Sequence, residues 1–143
     1  AMTYGHVYVA SVCMGADKNQ TLKAFREAEA YDGPSLIIAY APCAEHGIKG
    51  GLGNHQQVQR DAVACGYVDL YRYNPDNKEQ PLTIDSKKEP DYSKMEAFML
   101  KEARYAQLAK LLGKEASDAM FEQAVTDAKR RRERLIAIEK EGL

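Results

Sequence analysis

His6-Val-Tyr-Val-Ala-Ser-Val12 and Ser35-Leu-Ile-Ile-Ala-Tyr40 are two nearly uninterrupted apolar runs, β-branched and aromatic in make-up, and their reading decides the fold. A strand with one wet face alternates apolar and polar residues. Runs without alternation therefore predict strands buried on both faces, as in a parallel sheet. Between them Asp17 stands at a helix start with Gln20 placed to complete a capping box, and Leu22, Phe25, Ala28 and Ala30 follow as one apolar face. Gly33-Pro34 ends that helix. Strand, helix and strand within about 35 residues predict a right-handed βαβ unit.

Downstream of Tyr40 the texture changes to Ala41-Pro42-Cys43-Ala44-Glu45-His46-Gly47, followed by Gly50, Gly51 and Gly53 around Leu52. This is a long loop at the carboxyl end of a parallel strand, the place where open α/β sheets receive ligands. Gln56 to Ala64 is helical in pattern, Gly66 closes it, and Tyr67-Val-Asp-Leu-Tyr-Arg-Tyr73 alternates as a strand. Asn74 to Asp91 is polar, contains three prolines and reads as a surface excursion. Ser93-Lys-Met-Glu96 has the form of a capping box opening a helix that runs to Gly113, and Ala116 to Glu141 repeats an apolar stripe, so the two predict an antiparallel helical hairpin. The expected architecture is α/β: a partial, mostly parallel sheet with flanking helices, ending in that hairpin. About three strands are too few to cover a sheet buried on both faces, so the sheet looks cut from a larger one. The leading Ala1 fits an excised piece or a tag remnant equally.

The 143 residues are enough for one domain that buries roughly 68% of its unfolded surface. Lys plus Arg is 20 against 21 for Asp plus Glu, which excludes a general basic field for nucleic acid. The run Lys129-Arg130-Arg131-Arg132-Glu133-Arg134 lies among acidic residues without neighbouring aromatics and reads as a solvated helical face. No apolar run approaches the roughly 20 residues that span a bilayer, and no basic-then-apolar leader is visible. Three cysteines, 13, 43 and 65, without a Cys-x-x-Cys pair, argue against a disulfide-stapled secreted domain and for a reducing, cytoplasmic setting.

Cys13 follows an apolar strand and Cys65 sits on the inner side of a short helix, so both read as packed core thiols. Their spacings to Cys43, 30 and 22 residues, match no zinc pattern. Local sequence leaves two readings of Cys43 open. It favours a free thiol without a role, and the other is a ligand to an anionic cluster supported by loop amides. Glu45 and His46 flank it, but a Cys-His nucleophile also needs an orienting third group, and none is identifiable. Gly50-Gly51-Leu52-Gly53 lacks the Lys-Ser/Thr ending of a phosphate loop and reads as flexible punctuation.

One resemblance gathers these words. Tyr4-Gly5-His6-Val7-Tyr8-Val9-Ala10, Met14-Gly15-Ala16, Gln20-Thr21-Leu22-Lys23-Ala24-Phe25, Glu27-Ala28-Glu29-Ala30-Tyr31, Gly33-Pro34-Ser35-Leu36-Ile37-Ile38-Ala39-Tyr40 and Leu70-Tyr71-Arg72-Tyr73-Asn74-Pro75 occur in order. Together they resemble the carboxyl-terminal part of the thiamine-diphosphate-binding domain of pyruvate:ferredoxin (flavodoxin) oxidoreductase. The resemblance implies three segments: 1–75, the end of that α/β domain; 76–91, the excursion; and 92–143, the hairpin. It implies a homodimeric cytoplasmic enzyme of anaerobic metabolism that converts pyruvate and coenzyme A to acetyl-CoA and CO2. Electrons would leave through [4Fe-4S] clusters to ferredoxin or flavodoxin, with no nucleic-acid or membrane partner.

The residues that hold thiamine diphosphate and magnesium lie upstream in that family, and nothing like them occurs in this sequence. The family's loop after Ala-Tyr carries one cysteine ligand of the cluster nearest the thiamine cofactor, a position that falls on Cys43; Cys13 and Cys65 match no ligand. Ala44-Glu45 departs from the family's pattern, while His46-Gly47-Ile48 agrees. The fragment alone is then expected to be inactive, and its other partner is the remainder of the same enzyme. A stand-alone α/β binding domain, docking through its helical hairpin, is the alternative.

Overall fold

The computed structural model describes residues 1–45 and 47–142. Strands β1 (Tyr8–Val12), β2 (Ser35–Ala39), β3 (Tyr71–Tyr73) and β4 (Leu82–Ile84) make one sheet in the order β2-β1-β3-β4. The helices are α1 (Lys18–Ala30), α2 (His55–Ala64), α3 (Met95–Met99), α4 (Ala103–Leu112) and α5 (Lys114–Glu141). Every residue of β1 is buried, as its unbroken apolar run requires. Its alternate side chains enter two different cores, which is what burial on both faces means for a period-two element. Tyr8, Ala10 and Val12 pack with Ala24 of α1, whereas Val9 joins Tyr73, Leu82, Ile84 and Leu135 of α5. A third cluster, Val58, Ala62, Cys65, Met95, Phe98, Met99, Phe121 and Ala128, joins α2, α3 and α5.

The α/β class and flanking helices are as read, and β1 pairs β2 in parallel with Tyr8 opposite Ser35. The other two pairings, β1 with β3 and β3 with β4, are antiparallel, so the sheet is mixed rather than mostly parallel. Residues 74–81 between β3 and β4 are too few for the dozen or so that a parallel crossover needs. The expected surface excursion thus contributes a strand, with Leu82 and Ile84 buried on either side of half-buried Thr83. Three residues are too short a window for periodicity, and Pro81 argues for a turn.

Three further expectations shift. β2 is exposed at four of its five positions, because it is a sheet edge: Ile37 packs against the Tyr8, Ala10, Val12 and Ala24 cluster, whereas Leu36 and Ile38 stand in solvent. Helix α1 has the expected cap, Gln20 N–H donating to Asp17 Oδ1 at 2.8 Å, but buries Gln20, Thr21 and Ala24 while Leu22 and Phe25 stand in solvent. The Gln20 side chain does not close the box; its amide donates to the Ser11 carbonyl and to Asp85. The helix expected from Ser93 to Gly113 is divided at residues 100–102, and Ser93 donates to Asp91 rather than capping.

The basic run on α5 is not simply solvated. Arg132 is buried, 3.0 Å from Asp69 Oδ1, with a second nitrogen donating to the Ser86 carbonyl, and Arg131 reaches Asp69 Oδ2 at 3.2 Å. These cations fasten α5 to the segment entering β3. At Gly66, which leads into that segment, φ is +79° and a Cβ would stand 2.6 Å from the Tyr92 ring. Only glycine meets both demands.

Candidate functional site

Cys43 is exposed just beyond the carboxyl end of β2, where the Tyr40 N–H donates to the Val12 carbonyl and prolongs the parallel pairing by one step. The other two thiols are buried and occupied. Cys13 donates to Gln59 Oε1, and Cys65 donates to the Ala62 carbonyl beside the Met95 sulfur. Burial raises both thiol pKa values, which opposes the thiolate that metal ligation needs. Sequence reading of Cys13 and Cys65 as core thiols matches their placement. Glu45 is exposed, and His46 lies outside the described residues, so their relation to Cys43 is not among the contacts seen.

The loop is tied down further along. Lys49 N–H donates to the Lys101 carbonyl and Ala103 N–H to the Gly47 carbonyl, so Ile48 bridges Glu102 in the break between α3 and α4. Gly50 and Gly51 both have positive φ, which lets the chain turn from this bridge into α2. Beneath the bridge is a polar floor. Glu102 is 1% exposed, and Arg104 Nε lies 2.6 Å from its Oε2, but off the axis of a hydrogen bond, so neither carboxylate oxygen has an aligned donor among the described residues. The Tyr67 and Tyr105 hydroxyls meet at 2.8 Å, and the Tyr40 hydroxyl is buried without a partner among the described residues. Burial pushes the Tyr40 and Tyr67 phenols well above their ordinary value, so they remain protonated donors. Next to this floor, a groove of about 410 Å³ runs along Ile38, Tyr40, Tyr67, Asp69, Tyr71 and Arg131.

Sequence reasoning missed His55 and Gln59. His55 Nε2 lies 3.1 Å from the Pro42 carbonyl and Nδ1 lies 2.9 Å from Gln59 Nε2, while Gln59 Oε1 accepts from the Gly15 N–H at 2.7 Å. Their i, i+4 spacing on α2 could have flagged the pair; their link to Pro42 and Gly15 could not be read from sequence.

A fit to an iron–sulfur cluster can be judged from this donor set. Among the described residues no three His, Cys, Asp or Glu side chains gather as a metal site. One accessible thiol at a strand's carboxyl end suits a single-ligand contribution to a cluster whose other thiolates come from elsewhere. Among the described residues the donor set is compatible with that limited role.

Sequence relatives of this chain are oxidoreductases. The chain is 50% identical over 136 residues to the pyruvate-flavodoxin oxidoreductase of Enterobacter agglomerans, covering 93% of this chain and 11% of that protein. It is 48% identical over 134 residues to the pyruvate-flavodoxin oxidoreductase of Klebsiella pneumoniae, covering 92% and 11%. The pyruvate:ferredoxin oxidoreductase of Moorella thermoacetica is 46% identical over 136 residues, again 93% and 11%. No family model matches the chain. Along nearly all its length, then, this chain is homologous to one part of the pyruvate-flavodoxin and pyruvate:ferredoxin oxidoreductases, and it spans about one-ninth of their length.

Proposed function

We propose that this chain is the carboxyl-terminal part of the thiamine-diphosphate-binding domain of a 2-oxoacid oxidoreductase, and that Cys43 donates one thiolate to its [4Fe-4S] cluster nearest the thiamine cofactor. The observation that carries this reading is the segregation of the thiols: Cys43 alone is exposed, at a strand's carboxyl end, while Cys13 and Cys65 are buried and hydrogen-bonded. The whole enzyme would decarboxylate pyruvate with coenzyme A to acetyl-CoA and CO2, delivering electrons to ferredoxin or flavodoxin. When bound, the cluster supplies a one-electron acceptor close to the thiamine cofactor. This chain's part is positional. β1 and β2 fix the stem of the loop, the bridge at Ile48 fixes its far end, and the half-buried Tyr40 and Tyr67 line the adjoining groove. With no thiamine or magnesium ligands of its own, the chain alone would not turn over pyruvate.

Serine at position 43 in the full-length enzyme tests the assignment, because a hydroxyl is a poor substitute for thiolate on iron. Cys43→Ser should lose the iron of one cluster and slow acceptor reduction while CO2 release in a first turnover persists. Cys13→Ser and Cys65→Ser should keep full iron content. Intact iron in the Cys43 variant would refute the reading.

A further inference from the structure

Among the described residues, positions 41–43 make one hydrogen bond, the Pro42 carbonyl with His55 Nε2 at 3.1 Å. We propose that His55 is a positioning residue for Cys43: it holds the Pro42–Cys43 peptide in the orientation that presents the thiolate to the cluster. The proposal rests on the reading of Cys43 as a cluster ligand.

The direction of every hydrogen bond in this brace follows from one backbone amide. Gly15 N–H can only donate, so the Gln59 atom 2.7 Å from it is the carbonyl oxygen, which the Cys13 thiol also approaches at 3.5 Å. The other end of the Gln59 side chain is therefore the NH2 group, and it donates to His55 Nδ1 at 2.9 Å. With Nδ1 an acceptor, the ring proton resides on Nε2 and is donated to the Pro42 carbonyl. A chain of donors thus runs from the turn after β1, through α2, to the residue before Cys43.

That single contact restrains much of the loop. The proline ring fixes φ of residue 42, the held carbonyl fixes its ψ, and the peptide to Cys43 is planar. Only φ and χ1 of Cys43 then remain to aim the sulfur. Pro42 is buried while Cys43 is exposed, so the brace acts at the point where the chain leaves the protein interior. Gly15 is part of the fit: a Cβ there would stand 2.8 Å from Gln59 Cβ, so glycine is what allows the amide of residue 15 to reach the Gln59 oxygen.

The test compares His55→Leu, His55→Gln and Gln59→Leu in the full-length, cluster-loaded enzyme. Two readouts other than turnover are followed: the electron paramagnetic resonance spectrum of the reduced clusters, and the rate at which a chelator removes iron. His55→Leu should alter the signal of one cluster and speed its iron release about fivefold, the population change that one net hydrogen bond sustains. His55→Gln, whose amide can both accept from Gln59 and donate to Pro42, should restore both readouts. Gln59→Leu should reproduce the His55→Leu effect and add little to it in the double variant, because both act through one path. Wild-type spectrum and iron release in His55→Leu would overturn the proposal, as would a defect that His55→Gln fails to restore. If Cys43→Ser itself keeps the cluster, the ligand assignment fails and the positioning role falls with it. Loss of the cluster in Cys43→Ser beside a silent His55→Leu refutes the positioning role alone.

Discussion

Arg72 is the residue whose loss should damage the fold most for its size. Its Nε and Nη2 grip Asp85 at 2.9 and 2.8 Å, and its Nη1 reaches Glu27 at 2.5 Å, so one β3 guanidinium joins α1 to the segment after β4. The side chains are 10%, 14% and 26% exposed for Arg72, Asp85 and Glu27, so solvent screens the group weakly. Arg72→Met leaves Asp85 without its cation and Glu27 with only the exposed Lys23 at 4.0 Å, and breaking a buried pair in this way costs about 3–5 kcal/mol. Each carboxylate keeps one neutral donor, Gln20 on Asp85 at 3.0 Å and Tyr8 on Glu27 at 2.9 Å, which places the expected loss at the lower end, about 3 kcal/mol. Thermal and urea melts of the variant should then show a midpoint roughly 10 °C lower. Adding Asp85→Leu and Glu27→Gln to Arg72→Met should recover most of that loss, because the stranded charges go as well. A loss below about 1 kcal/mol, or a triple variant no more stable than the single one, would show that the network is not held in this geometry.

Gly15→Ala should cost about 1–3 kcal/mol in urea melts, since its methyl must displace Gln59 rather than fill space; a neutral result would mean that Gln59 yields freely. Burial of Asp61 favours its neutral form, but hydrogen bonds from Lys101 and Gln57 outweigh this and draw its pKa below the ordinary 3.8. Its contribution to stability is therefore present above pH 3.8 and lost as pH falls through the lowered value, so Asp61→Asn should flatten the acid limb of stability against pH, and its difference from the parent should become independent of pH once Asp61 in the parent is protonated. Leu22→Ser and Phe25→Ser, at sites 51% and 54% exposed, should change the melting of this chain by less than about 0.5 kcal/mol. In a full-length oxidoreductase a markedly larger cost at either site would reveal that α1 is covered there.

The parts of the fold legible in the sequence are those fixed by long runs and by backbone chemistry. β1, the cap at Asp17 and the stop at Gly33-Pro34 each follow from residues within a few positions of one another. What escaped reading depends on distant partners. Period alone put Leu22 and Phe25 on a helix face without saying which face meets the sheet; the packing of Ala24 on β1 and the part-buried Gln20–Asp85 contact, 65 residues apart, settle it. β4 exists because Leu82 and Ile84 find Leu135 of α5. At the site, Cys43 and its strand-end position were readable, whereas His55 and Gln59 look like ordinary polar helix residues until Pro42 and Gly15 stand beside them. Arg132 likewise reads as surface charge until Asp69 is placed under it.

The cluster that joins Val9 to Leu135 has a consequence for the order of events during synthesis. The two residues are 126 positions apart, and translation adds about 5–20 residues per second, so Val9 emerges roughly 6–25 s before its partner on α5 exists. In that interval the nascent β1 can complete its Tyr8, Ala10 and Val12 side against the nearby α1, while its Val9 side gains Tyr73, Leu82 and Ile84 but not yet Leu135. That second side stays only partly covered, and accessible to chaperones or neighbouring chains, until Leu135 of α5 is made and packs on it.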